Sequence, residues 1–263
     1  MQALHTAATG MFAQEMNVEV ISNNVANMRT TGFKRQYIQF QDLLYEQIVR
    51  PGTTSSDQNT SIPSGVYIGS GVKTVATPRI TTQGSLSPTK NPYDLAVNGE
   101  GYFRVTMPDG TLAYTRDGSF SLDGNGRLVN QTGYLVDPAI TVPQNATSVA
   151  VSPQGLVTAT LPGQTAPQQL GQLTLSRFVN KAGLQSVGDN FFLPTEASGQ
   201  PIDAVPASEG FGTLQQGYVE ESNVNSVTEI TALVAAQRAY ELNAKVIAAA
   251  DQMLSSANNL FRS

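Results

Sequence analysis

TEITALVAAQRAYELNAKVIAAADQMLSSANNLF, residues 228–261, reads as one long helix written in heptads. Leu233, Tyr240, Ile247, Leu254 and Phe261 stand seven residues apart. An apolar residue at every seventh position keeps one seam of a helix turned toward a neighbouring helix. Ser226-Val227-Thr228-Glu229 precedes it with the form of a capping box, Ser followed three positions later by Glu. About 35 residues at 1.5 Å each make a rod of roughly 50 Å. Ala236, Ala244, Ala250 and Ala257 add small side chains that permit close helix approach, and Glu241 precedes Lys245 in the favourable i, i+4 order.

The opposite end repeats the pattern. Leu4, Met11, Val18 and Val25 are also seven apart, inside a helix expected from about Gln2 to about Met28. Gly10 interrupts it at a cost of roughly 1 kcal/mol against Ala. Arg29-Thr30-Thr31-Gly32 is expected to end it, with Gly32 supplying a positive φ at the C-terminal cap. Phe33 to Val49 follows, with Phe40, Leu43, Leu44 and Ile48 at mixed helical spacing, and is read as a second helical stretch.

Between the ends the pattern changes. Pro51 to Gly71 is polar and broken by Pro63, Gly65 and Gly69, the marks of a linker or long loop. Loops of that length in compact domains are more often functional, or ordered by a partner, than idle. From Val72 to Leu214 short apolar runs alternate with turns. Tyr93 to Val97 precedes Asn98-Gly99; Tyr102 to Met107, Pro108-Asp109-Gly110 and Thr111 to Thr115 form a hairpin; Leu170 to Val179 alternates as a strand. Turn signals about every ten residues indicate an antiparallel sandwich or barrel. The fold class is therefore α+β: long N- and C-terminal helices pairing as a coiled coil, with a β-rich antiparallel middle domain. The segments are 1–50, 51–71, 72–214 and 215–263.

Composition narrows the function. The chain has 263 residues, 40% of them apolar and only 13% charged, about half the usual charged fraction of ~25%. Such a surface suits broad polar contacts better than free solvation. Net charge is −5, spread as zero over residues 1–50, −3 over 51–219 and −2 over 220–263, so no segment is a basic patch for nucleic acid. There is no cysteine, which excludes disulfides, thiol catalysis and Cys-based zinc sites. No apolar run reaches the ~18 residues of a membrane span, so no membrane insertion is expected. The first charged residue is Glu15, so the start lacks the basic lead of a cleaved secretory signal. Export, where it occurs, is expected to use another route.

Candidate chemistry is thin. His5 is the only histidine and has no partner for a metal pair. Asp109, Asp117 and Asp123 each precede Gly and Asp137 precedes Pro, which are turn positions. Asp123-Gly124-Asn125-Gly126 lacks the alternating acids and terminal Glu of a calcium loop. Gly99-Glu100-Gly101 has Arg104 where a dinucleotide loop needs its third Gly. Neither an enzyme active site nor a cofactor is implied.

Ile21-Ser22-Asn23-Asn24-Val25-Ala26-Asn27 followed by Thr31-Gly32-Phe33-Lys34-Arg35 resembles the N-terminal signature of the bacterial flagellar rod and hook proteins. Gly217-Tyr218-Val219-Glu220-Glu221-Ser222-Asn223-Val224-Asn225 resembles their C-terminal entry motif, and Gln237-Arg238-Ala239-Tyr240-Glu241-Leu242-Asn243-Ala244-Lys245 the helix after it. Asp42-Leu43-Leu44-Tyr45, Pro63-Ser64-Gly65, Ile68-Gly69-Ser70-Gly71-Val72 and Ala113-Tyr114-Thr115-Arg116-Asp117-Gly118-Ser119-Phe120 are similar to the distal-rod branch. The residues carried over are Asn23, Asn24, Asn27, Gly32 and Phe33 at one end, and Glu221, Ser222, Asn223, Arg238 and Asn243 at the other.

The resemblance implies a non-enzymatic subunit that polymerises helically into a stiff hollow axle through the periplasm and transmits torque to the hook. Its implied partners are further copies of itself, the proximal rod protein, the hook protein, the rod-capping protein, the P-ring and L-ring proteins and the flagellar type III export apparatus. It makes residues 51–71 a rod-specific brace between subunits. A proximal rod or hook protein of the same family is the nearest alternative. A secreted β-rich hydrolase would need an acid/base pair, and none stands out; a coiled-coil adhesin or tail fibre would concentrate its heptads at one end.

Overall fold

The computed structural model of the chain describes residues 2–52, 64–164 and 166–260. Phe261 of the C-terminal seam, Pro63, and the core of the 51–71 segment lie outside the described residues. The chain divides into two compact units. One holds Met1–Val25, Gln36–Pro78 and Asn225–Ser263, and is called here the terminal unit. The other, the β unit, holds Ala26–Arg35 and Arg79–Val224.

The terminal unit contains two helices, α1 (Gln2–Ala26) and α2 (Ser226–Leu260). They run antiparallel: the Asn24 amide donates to Glu229 at 3.1 Å, and a Cβ on Gly10 would lie 2.9 Å from the Asn243 Nδ2. Gly10 thus spends helix propensity to let α2 come close. α2 begins differently from its expected capping box. The Asn225 side chain accepts from the backbone N–H groups of Val227 and Thr228 at 3.0 and 3.1 Å, so the cap is one residue earlier than Ser226. Glu229 is fully buried against Asn24 and has left the cap. Asn outranks nothing in the sequence pattern here, but only one of two adjacent polar residues can hold the non-helical cap backbone.

Phe33 to Val49 is not a helix. Gln39–Asp42 and Tyr45–Val49 are strands, paired antiparallel with Val72–Ala76 and Val66–Gly69. Leu43 N–H donates to Gly71 at 2.8 Å and Ser70 N–H to Leu44 at 3.3 Å, which carries the pairing through the gap. The result is one two-stranded ribbon joining 39–49 to 66–76. Helical spacing misled because the ribbon is covered only in part, on the Val72 and Thr74 side, and most of its apolar residues stay exposed, so alternation is weakly enforced. The ribbon lies on α1, where Thr74 Oγ1 reaches the Met16 sulfur at 3.4 Å and Val72 N–H the Thr9 hydroxyl at 3.4 Å.

The β unit is antiparallel in every strand pair described. Its largest sheet has seven strands, in the order Gln185–Gly188, Phe191–Leu193, Leu112–Thr115, Phe103–Thr106, Leu135–Asp137, Leu128–Asn130, Phe120–Leu122. A three-stranded sheet (Ser148–Val151, Leu156–Thr160, Gln168–Gln172) and shorter pairs share its core. Leu95, Val97, Phe103, Phe120, Val136, Val157, Leu175 and Leu214 meet in that core. A second, aromatic cluster joins Tyr102, Tyr114, Phe178 and Phe192, with Tyr114 edge-on to Phe178 at 4.8 Å.

The expected hairpin is present: Phe103–Thr106 pairs with Leu112–Thr115 across a turn closed by Gly110 at φ +82°. The Asp residues before Gly hold turns as their position implied. Asp109, Asp117 and Asp123 each accept from backbone N–H groups two residues on. Leu170 to Val179, however, is not one strand. Gln168–Gln172 belongs to the three-stranded sheet and Leu175–Arg177 pairs with Ile202–Ala204. Ser176 is buried and donates to Asp203.

Candidate functional site

The two motifs at the chain ends build two separate polar knots, one in each unit. In the β unit, Thr31 to Arg35 lies beside Gln83-Gly84 and Tyr218 to Asn223. Lys34 is buried, and its Nζ donates to Glu220 Oε1 at 2.5 Å and to the Thr82 carbonyl at 2.9 Å. Gly84 N–H donates to the same carboxylate oxygen at 3.0 Å. Arg116 Nε stands 3.3 Å from Glu220 Oε2, while its terminal nitrogens donate to the Gly101 and Gly99 carbonyls at 2.6 and 2.8 Å. Three charges are thus shut away from water with one carboxylate between two cations. Burial pulls the Lys34 ammonium below the ordinary lysine pKa, against the opposing attraction of Glu220.

Asn223 closes the same knot. Its Oδ1 accepts from Arg35 N–H at 2.7 Å, and its Nδ2 donates to the Ile80 and Thr82 carbonyls at 2.9 and 3.0 Å. An amide with both atoms used in this way splices three chain segments. Gly32 takes φ +70°, and its N–H donates to the Glu220 carbonyl at 2.7 Å. A Cβ there would lie 2.8 Å from the Arg116 carbonyl carbon. α1 already ends at Ala26, so Gly32 does not cap the helix. It lets the chain pass hard against the Arg116 backbone.

In the terminal unit the knot is Asn24, Gln36 and Glu229. Asn24 exchanges hydrogen bonds with the Gln36 backbone at 2.7 and 2.9 Å and donates to Glu229. Asn27 accepts from the Thr30 hydroxyl at 3.1 Å, and the Ser222 hydroxyl accepts from Val224 N–H at 3.3 Å. Phe33 is half-buried; Asn23, Arg238 and Glu221 are exposed. Glu220, the last residue of the Tyr218–Glu220 strand, is the buried acid, and Glu221, just past the strand's end, is exposed. Lys34, Arg116 and Glu220 were the residues that pattern reading passed over. Two adjacent Glu residues give no sign of which turns inward, and Arg116 lies far off in sequence.

The seams have a different setting. Leu4, Met11, Val18 and Val25 are half-buried; so are Leu233 and Ile247, while Tyr240 and Leu254 are each 44% exposed. The residues that pack within the chain lie beside them and are mostly small or polar: Ala7, Ala13 and Asn24, with Ile21 as the one large apolar side chain, on α1, and Glu229, Ala236 and Ala250 on α2. Phe12 (62%), Leu44 (87%), Tyr45, Ile48, Tyr67, Ile230, Leu242 and Met253 are exposed on the same unit. Most of the large exposed apolar side chains of the described chain belong to the terminal unit. A soluble monomer rarely shows so much contiguous apolar surface without a partner for it. Among the described residues no cluster of His, Cys, Asp and Glu could hold a metal ion.

Family models match at three places that together cover these features. Residues 4–34 match flagella basal body rod protein, residues 96–159 the flagellar hook protein FlgE/F/G D1 domain, and residues 215–260 the flagellar basal body rod FlgEFG protein C-terminal region. The chain is 54% identical over 260 residues to flagellar basal-body rod protein FlgG of Caulobacter vibrioides, covering 99% of each chain. The chain belongs to the FlgG family of flagellar basal-body rod proteins. The FlgG proteins of Buchnera aphidicola (subspecies Acyrthosiphon pisum) and Borreliella burgdorferi are 48% and 46% identical, over 98% and 100% of this chain and 99% of each relative. A FlgG-family chain is a structural subunit of the flagellar distal rod and not an enzyme. Its place is the basal body, and no described helix is long and apolar enough to cross a membrane.

Proposed function

We propose that this FlgG-family subunit polymerises helically through its terminal unit into a stiff hollow axle that carries torque toward the hook. The observation that supports this most is the exposed apolar surface of α1, α2 and the ribbon, set against the well-filled core of the β unit. Contacts that repeat head to tail without closing produce a filament. Burying such surface between copies contributes about 25 cal/mol per Å².

Within this reading α1 and α2 pair as a coiled coil, with Leu4, Met11, Val18 and Val25 on one helix and Leu233, Tyr240, Ile247, Leu254 and Phe261 on the other left for neighbouring copies. The family motif residues position those helices: Asn24 ties α1 to Glu229, and Asn243 accommodates Gly10. Residues 51–71 act as a brace between subunits. The further partners are the proximal rod protein, the hook protein, the rod-capping protein and the P-ring and L-ring proteins. Passage to the periplasm runs through the flagellar type III apparatus in an unfolded state. Electron microscopy of the purified protein at rising concentration tests the reading. Straight tubes are expected; curved tubes would favour a hook protein, and the absence of any polymer under all conditions would overturn it.

A further inference from the structure

The two helices of the terminal unit do not end together. Asn24 meets Glu229, and Gly10 meets Asn243, fourteen residues further along each helix. In that register Gln2 is level with about Asp251, yet α2 continues to Leu260. Nine residues, about 14 Å of helix, run past the start of α1. The face of α2 that α1 covers, through Ala236, Asn243 and Ala250, therefore continues into a stretch that, among the described residues, is exposed from Asp251 to Ala257. Residues 251–257 are all exposed, Met253 at 66% and Leu254 at 44%. At the other end of the same helix a second apolar stripe is open: Val227 (72%), Ile230 and Val234 stand at i, i+3 and i+7. The only ionised side chain among residues 226–234 is the buried Glu229, and among 252–260 there is none.

We infer that the free end of α2 in one copy docks on the apolar stripe at the start of α2 in the next copy. This rests on the polymer reading above and specifies one of its contacts. The two surfaces sit at opposite ends of one helix; each is uncharged at its surface, and each exposes apolar side chains, Met253 and Leu254 at one end and Val227, Ile230 and Val234 at the other. Each copy therefore offers one end and receives at the other, and the contact does not close on itself. Unlike the heptad seams, which predict side-by-side pairing, this contact sets an axial step between copies.

The absence of native cysteine makes the contact directly testable. In a Val227→Cys/Met253→Cys double variant, the two positions are about 39 Å apart along one continuous helix. A disulfide needs Cα atoms within about 7 Å, so no bond can form inside one chain. Assembled under mild oxidant, the double variant is expected to give a ladder of linked species well beyond dimer. Each single variant is expected to stop at dimer or remain unlinked. Ile230→Cys/Leu254→Cys provides a second pair should the first fail to assemble. Filaments of both double variants that show no ladder would overturn the head-to-tail contact while leaving polymerisation in place. A wild-type protein that never forms filaments would overturn the polymer reading and this contact with it.

Discussion

Glu220 shows how much one side chain holds in the β unit. Its carboxylate stands between Lys34 and Arg116, and all three side chains are buried. Replacing it by Gln keeps the volume but leaves two cations out of water without a counter-charge. Removing one partner of a buried ion pair costs about 3–5 kcal/mol. Glu220→Gln is therefore expected to lower the unfolding free energy of the free subunit by that order in urea titration. Glu221→Gln, one residue on and exposed, is expected to change it by less than about 0.5 kcal/mol. Equal effects of the two changes would show that the buried triad is not what joins the segments. The motif around these residues was legible in the sequence; the choice between two neighbouring carboxylates was not. That choice depends on which face of the Tyr218–Glu220 strand meets Lys34, and Lys34 is 186 residues away.

At the scale of elements, the helices were the most legible and the ribbon the least. A seven-residue repeat is local information, and it placed α1 and α2 within two residues of their observed ends. It did not say which row would pack inside the chain. That row is mostly small and polar, with Ile21 its one large apolar member, and Gly10 and the alanines allow the close approach. The larger seam residues remain partly exposed, and in the proposed polymer they face other copies. Ile247→Asp tests their role: a carboxylate placed in an apolar contact resists desolvation by several kcal/mol. Each 1.4 kcal/mol lost from a contact weakens association tenfold. The variant is expected to form no filaments at ten times the concentration at which the wild type assembles, with the near-ultraviolet dichroism of the β unit unchanged. An intact filament from this variant would remove Ile247 from the seam. The ribbon escaped pattern reading because its strands are mostly exposed, with only the Val72 and Thr74 side half-covered by α1, so neither period is strongly enforced on the residues.

At the scale of the whole molecule, two units of different character share one chain that passes between them at 25–26, 35–36, 78–79 and 224–225. The β unit has its own core, whereas the terminal unit leaves much apolar surface uncovered. Limited proteolysis of the unassembled subunit is expected to cut within 36–78 and after 225 first. Residues 26–35 are expected to stay with the surviving β unit as a nicked complex, held by Lys34 and Asn223, and mass spectrometry of the purified fragment would detect them. Equal survival of both ends and the middle would contradict the difference in stability. The helices, the β-rich middle, the turn roles of Asp109, Asp117 and Asp123 and the family motifs were readable from residues close along the chain; Asp137, read as a turn residue because Pro follows it, instead ends the Leu135–Asp137 strand and pairs with Arg104. Long-range contacts set the pairing of residues 39–49 with 66–76, the burial of Glu220, the close approach at Gly32 in place of a helix cap, and the overhang of α2 beyond α1. Those outcomes depend on which distant segments meet, and no local spacing records the contact energy of residues that are far apart in sequence.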